Sequence, residues 1–266
     1  MEQIQLSMQN VSVFYGPRPV IDDVSLDIKP GSTTVVLGSS GSGKSMLLKT
    51  LAGLVPPNRG TVMLNGKNIF ALSEKEELEF RRRSSFVFQD AALWANRTVA
   101  QNVRFPLEVH YPVMSHQQKQ QKVERYLEKV GYQDSIDYRP SQLSSGEEKM
   151  VSFARALITD PDLLFLDTPL VGIDSTAAGY IEEIIKKLRS DGKTIIAGLT
   201  DPELISLIAD ELVIVHKGAV LIHGPFSEVR RSENPLIQKI LSLILDQAAA
   251  YDEDILSILD DNGGLL

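Results

Sequence analysis

Residues 38–45 read GSSGSGKS, and no other segment narrows the possible folds as far. The octet fits G-x-x-x-x-G-K-[ST] and stands between an apolar strand pattern, STTVVLG, and a helical one, MLLKTLAGL. In that setting glycines let backbone amides curl around phosphate oxygens without Cβ clashes. The helix N-terminus adds the positive end of its dipole. The predicted cradle comprises Gly38, Ser39, Ser40, Gly41, Ser42, Gly43, Lys44, Ser45 and Met46. Lys44 is expected to reach the β- and γ-phosphates of a nucleotide, and the Ser45 hydroxyl to ligate Mg2+. The plainer alternative is a glycine-rich strand–helix loop with no ligand, and the flanking elements argue against it.

A second half-site lies in LLFLD, residues 163–167. Four apolar residues followed by Asp167 describe a buried strand that delivers one carboxylate to a sheet edge, where it can hold a Mg2+ water opposite Ser45.

The rest of the chain sets the fold class. IQLSMQNVSVFYG and VIDDVSLDI alternate apolar and polar residues about a GPRP turn, as half-buried strands do. TVML lies between the turn-forming PPNRG and LNGKN, 73–83 is charged and helix-friendly, and SSFVFQ returns to strand. Residues 91 to 158 read as mainly helical, with Val123, Leu127 and Val130 on one face. Strand LLFLD, helix TAAGYIEEIIKKLRS, strand TIIAGL, helix PELISLIAD and strands ELVIVHKG and AVLIHG follow. That order predicts an α/β fold whose mostly parallel sheet is interrupted by a helical insert. The basic run Arg81–Arg83 reads most simply as a solvated helix end.

Composition bounds the partners. The 27 basic residues against 35 acidic ones leave a net charge of −8, which argues against a nucleic-acid partner. With no cysteine there is no disulfide and no thiolate metal site. MEQIQLSMQN has no apolar signal core, and no run of about 18 apolar residues occurs, so a cytoplasmic chain is expected.

LSSGEEKMVSFARAL at 143–157, followed by DPDLLFLD, resembles the ABC transporter ATPases, whose signature is LSGGQ. Leu143, Ser144 and Gly146 match, while Ser145 replaces a glycine and Glu147 the glutamine. The resemblance spans about 4–231 and implies a P-loop NTPase core with mixed sheet, an N-terminal antiparallel β part and an inserted helical subdomain. It places the core at 1–90 and 159–231, the subdomain at 91–158 and a helical tail at 232–266. It also implies ATP and Mg2+ as ligands. Ser144 and Gly146 would cap an ATP held by a second ATPase subunit, identical or paralogous. Tyr15 would stack on adenine, and Gln89 would touch Mg2+ and relay occupancy to a transmembrane permease. Gly172–Ile173–Asp174 stands where the family has the loop that crosses the dimer interface. The chain would then lie on the inner face of the cell membrane through that permease. Finer similarity, to the ATPases of Mla/Mce-type lipid transport, lies in AALWANRTVAQNVRFPLEVH, LVGID and SENPLIQKIL.

Two departures from the family concern catalysis. The carboxylate that polarises the attacking water is replaced by Thr168, and the switch histidine by Thr200, with Asp201 retained. None of His110, His116, His216 and His223 lies in that stretch. A threonine hydroxyl is no base at neutral pH, and a positioned base contributes roughly 10²–10⁴-fold. Three readings follow: a transporter subunit that binds Mg-ATP with its own hydrolytic site impaired, a fully active ATPase with a displaced base, and a soluble ABC-type protein without permease. In the tail, Ile237, Ile240, Leu241 and Ile244 form one helical stripe, and ILSIL at 255–259 follows an acidic DED and precedes a GG near the end. The stripe either packs on the chain's own core or bridges to another subunit or an accessory protein.

Overall fold

The computed structural model describes residues 4–245. Two sheets organise them. The first is antiparallel and built from β1 (Leu6–Tyr15), β2 (Arg18–Ile28), β4 (Arg59–Leu64) and β5 (Lys67–Asn68), in the order β2-β1-β4-β5. The second contains β3 (Thr33–Leu37), β6 (Ser84–Val87), β7 (Leu163–Asp167), β8 (Thr194–Gly198), β9 (Glu211–His216) and β10 (Ala219–Pro225). Its order is β10-β9-β3-β8-β7-β6, parallel except for β10.

Strands β3, β7 and β8 are buried at every position, which is why their sequences are apolar runs rather than alternations. Each still divides its side chains by parity. Val36 and Phe165 face one apolar cluster, with β1, β2 and α1 (Lys44–Leu51). Val35, Leu37, Leu164 and Leu166 face the other, with α3 (Val99–His110), α4 (His116–Lys129), α5 (Ser145–Leu157), α6 (Ser175–Ser190) and α7 (Pro202–Ile208). Val123, Leu127 and Val130 are buried there together, as their spacing predicts.

Local chemistry starts the helices. Ser73, Thr98, Ser115 and Ser144 each close a capping box with Glu76, Gln101, Gln118 and Glu147, at the heads of α2 (Glu74–Arg83), α3, α4 and α5. Such a cap is worth about 1 kcal/mol.

Two sequence expectations change, and one open alternative is decided. Strand β6 ends at Val87, so Gln89 sits in the turn beyond it. Arg81–Arg83 is no loose helix end. Arg81 donates to Ala52 O at 2.7 Å and Gly53 O at 2.9 Å, closing the end of α1, and Arg83 pairs with Asp162 at 2.7 Å. After α8 (Phe226–Val229), α9 (Pro235–Leu245) buries Ile237, Ile240 and Leu241 in the chain's own core, with Ile244 packed beside them. The stripe is therefore used internally. ILSIL and its flanking DED and GG lie outside the described residues.

Candidate nucleotide-binding site

The loop that follows β3 leads straight into α1, at the C-terminal edge of the parallel sheet. Gly43 has φ +109°, and a Cβ there would lie 2.6 Å from Val20 O. At Gly38 a Cβ would meet Val215 O at 2.3 Å. Only glycine fits either place, because the backbone is pressed against β2 on one side and β9 on the other. The first helical bond runs from Leu47 N to Gly43 O at 2.9 Å, so the amides of Lys44, Ser45 and Met46 precede any intrahelical acceptor. They form a ready anion cradle. The Met46 side chain packs on the apolar cluster beneath, which leaves only its amide for a ligand.

Lys44 curls back over the loop, donating to Gly38 O at 2.6 Å and Ser39 O at 3.0 Å. Burial pushes its ammonium below the usual lysine range, and the Asp167 charge opposes that. Ser45 Oγ donates to Asp167 Oδ1 at 2.9 Å across 122 residues of chain. A hydroxyl and a carboxylate meeting at the edge of an anion cradle are the hard oxygen donors that Mg2+ takes, so the residues present fit that ion. Asp167 itself is 2% exposed. Gly198 lies opposite Asp167 in the ladder, and a Cβ there would make only ordinary contacts, with Leu48 at 3.5 Å and Asp167 Oδ1 at 3.9 Å.

Thr168 follows in a conformation that threonine avoids, φ +45°. Its amide donates to Gly198 O at 3.0 Å, while its Oγ1 is buried with no partner among the described residues. Thr200 is exposed just past β8. Asp201 caps α7, its Oδ1 accepting from Leu204 N at 2.7 Å. None of the four histidines is an observed partner of Thr168 or Asp201: His116 meets Arg104, His223 meets Glu211, and His110 stands near Arg82 and Glu79. Tyr15 presents its ring to solvent at the β1–β2 turn, 82% exposed.

The LSSGE segment forms the head of α5. Ser144 Oγ accepts from Glu147 N at 3.2 Å, and the Glu147 carboxylate reaches back to Ser144 N at 2.6 Å. The glutamate in the glutamine's place thus completes a capping box. It also shares a hydrogen bond with Asp134, which holds Glu147 below the usual carboxylate range and pushes Asp134 up. Ser145 donates to Gly172 O at 2.8 Å, and a Cβ on Gly146 would lie 2.9 Å from Asp174 Oδ2. The segment is therefore fastened to the loop that leads into α6, whose N-cap is Asp174.

Two cations of α5 that bond to backbone carbonyls have no sequence signal of their own. Lys149, 2% exposed, donates to Phe88 O and Gln89 O at 3.0 and 2.6 Å. Arg155 donates to Ala91 O and Ala92 O at 2.8 and 2.7 Å. Burial pushes Lys149 down, opposed by Asp90, Asp167 and Glu148, and pushes Arg155 down to about 10. The Gln89 side chain is exposed.

Comparison with known proteins matches residues 21–171 to the family described as ABC transporter. The chain is 32% identical over 246 residues to the intermembrane phospholipid transport ATP-binding protein MlaF of Escherichia coli K12, covering 91% of this chain and 90% of that one. It is 33% identical over 231 residues to the methionine import ATP-binding protein MetN of Lactobacillus johnsonii, covering 85% of this chain but only 66% of MetN. Among solved structures, an ATP-binding cassette captured as a post-hydrolysis dimer with ADP and Pi superposes with a TM-score of 0.77 at 28% identity. That match covers 83% of this chain and 98% of the cassette. The family match over more than half of the chain and the nearly full-length similarity to MlaF show that the chain belongs to the ABC transporter family as an ATP-binding subunit.

Proposed function

We propose that this subunit binds Mg-ATP between its own phosphate loop and the LSSGE segment of a second ATPase subunit, and that closure of the pair drives a membrane permease. Lys44 and the α1 amides hold the phosphates, Ser45, Asp167 and Gln89 hold the metal, and Tyr15 covers the base. Mg2+, when bound, neutralises phosphate charge and orders the β- and γ-oxygens. Lipid is the favoured cargo class, because the similarity to MlaF runs nearly end to end in both chains.

The hydrolytic site of this chain is impaired in our reading, and one observation carries that. The two places where the family holds its catalytic carboxylate and histidine are Thr168, with an orphaned buried hydroxyl, and exposed Thr200; the neighbouring Asp201 carboxylate is committed to capping α7. A capping carboxylate that accepts a backbone amide is poorly placed to take a proton from water. The bound nucleotide would then act as a clamp, while the α5 head, with Ser144 and Gly146 retained, completes a working site on a partner.

A groove of about 420 Å³ suits the permease. Leu54, Leu78, Phe86, Phe105, Pro106 and Val109 line it, with Leu54, Leu78 and Val109 each more than 40% exposed. Phe88, next to Gln89, forms part of its wall. No helix among the described residues is long and apolar enough to cross a membrane, so attachment on the cytoplasmic side would run through this groove. Because the α9 stripe is buried, an accessory protein at the tail would have to engage residues 246–266 or the outward Leu236 and Leu243.

Labelled-ATP binding and turnover measured on one preparation test the proposal. Tight binding with turnover far below the ordinary range of about 1–10³ per second is expected. Thr168→Glu with Thr200→His should raise the rate. Wild-type turnover inside that range would refute the impaired site.

A further inference from the structure

Residues 88–92 continue the chain from β6, and beside two bonds of their own, Ala91 N to Phe88 O at 3.2 Å and Ala92 N to Asp90 O at 2.7 Å, four of their carbonyls accept from side chains of another element. The β6 ladder stops at Val87, paired with Leu166. Beyond it, Lys149 takes the carbonyls of Phe88 and Gln89, and Arg155 takes those of Ala91 and Ala92. Both cations belong to α5. Ala91 and Ala92 have φ +59° and +48°. Alanine holds that conformation only at about 1–2 kcal/mol each, a cost that the external bonds help the loop's own two to offset.

The choice of lysine is informative. Among the described residues, Lys149 Nζ meets carbonyl oxygens and no carboxylate within salt-bridge distance. Burying an ammonium on neutral acceptors is weak stabilisation, and an apolar residue of the same length would serve packing as well or better. What the charge adds is direction: a long, straight donor that fixes two consecutive carbonyls. Phe88 walls the apolar groove and Gln89 follows it, two residues past the C-terminal end of β6, so one side chain pins both to the helix whose head is LSSGE.

We propose that Lys149 is a positioning residue that locks Gln89 and Phe88 to α5, so that the glutamine, the groove wall and the LSSGE segment move as one body. This rests on the nucleotide-binding reading above. Movement of α5 toward a partner's nucleotide then withdraws or presents Gln89 at this chain's own site, and the groove feels both. The helices join the sheet at two places, Val87–Phe88 and residues 158–162 between α5 and β7, so flexing of α5 against the sheet involves both.

Trp94 supplies the readout. It is the only tryptophan in the chain, it lies beneath Arg155 at 5.5 Å, and its ring packs edge-on against Phe105 at 4.6 Å. Wild type, Lys149→Met and Lys149→Arg are titrated with ATP, with and without Mg2+, following labelled-nucleotide binding and Trp94 emission together. Lys149→Met should lose about tenfold of the Mg2+-dependent gain in affinity and most of the emission change, as expected for one charge-assisted bond pair. Lys149→Arg should restore both. A Lys149→Met protein with the wild-type emission response and Mg2+ dependence overturns the proposal.

Amide exchange in the nucleotide-free protein separates the two levels. Lys149→Met should accelerate exchange across residues 88–92 about tenfold or more while leaving β6 unchanged. Unchanged exchange there overturns the lock whatever ATP does. Failure of wild type to bind ATP overturns the functional reading instead, and the exchange result still decides the lock. Should the methionine variant fail to fold, Lys149→Gln, which keeps two donors on a shorter stem, is measured the same way: wild-type exchange at 88–92 would refute a requirement for the lysine's reach.

Discussion

Replacing Thr168 by glycine is expected to stabilise this protein, although glycine usually does the reverse. At φ +45° a β-branched residue carries about 1–2 kcal/mol of backbone strain. Its buried Oγ1 has no partner, which adds about 1–3 kcal/mol. Glycine removes both. Against that stand the greater freedom of glycine in the unfolded chain, about 0.5–1 kcal/mol, and the lost burial of two side-chain carbons, about 1.6 kcal/mol. The balance favours Thr168→Gly by about 1 kcal/mol, or about 2–4 °C in Tm for a chain of this size. Urea denaturation and thermal melting without nucleotide measure it, and Thr168→Ala divides the two sources. Alanine sheds the hydroxyl but keeps much of the strain, so it should fall between wild type and glycine. A glycine variant less stable than wild type, or no better than alanine, refutes the reasoning.

Two further outcomes follow from the same geometry. Lys44→Ala should abolish detectable ATP binding, because Lys44 is the cation seated over the phosphate loop; unchanged affinity in equilibrium binding would remove the basis of the functional reading. Ending the chain at Ser232 removes Ile237, Ile240 and Leu241 from the core, each worth about 1.5–3 kcal/mol of burial at most. Tm should fall steeply, and an unchanged melt would show that α9 is expendable to the fold.

Local pattern was enough for much of this molecule. GSSGSGKS between a strand and a helix, and LLFLD ending in its carboxylate, each announce their chemistry within a few residues, because amide cradles and strand-end carboxylates are built from contiguous chain. Apolar runs against alternating strands likewise separated the buried parallel sheet from the half-exposed antiparallel one. The substitutions at Thr168 and Thr200 were visible as letters, but only the fold revealed that one hydroxyl is orphaned and that Asp201 is spent on α7. The contact of Ser45 with Asp167 needed β8 to bring distant strands together. Arg81, Lys149 and Arg155 left no trace in the sequence because their partners are backbone carbonyls, which every residue carries. The stripe on α9 was legible as amphipathic and silent about its neighbour. An apolar face has the same period whether it meets its own core or a second chain, and only tertiary packing assigned Ile237, Ile240 and Leu241 to the inside.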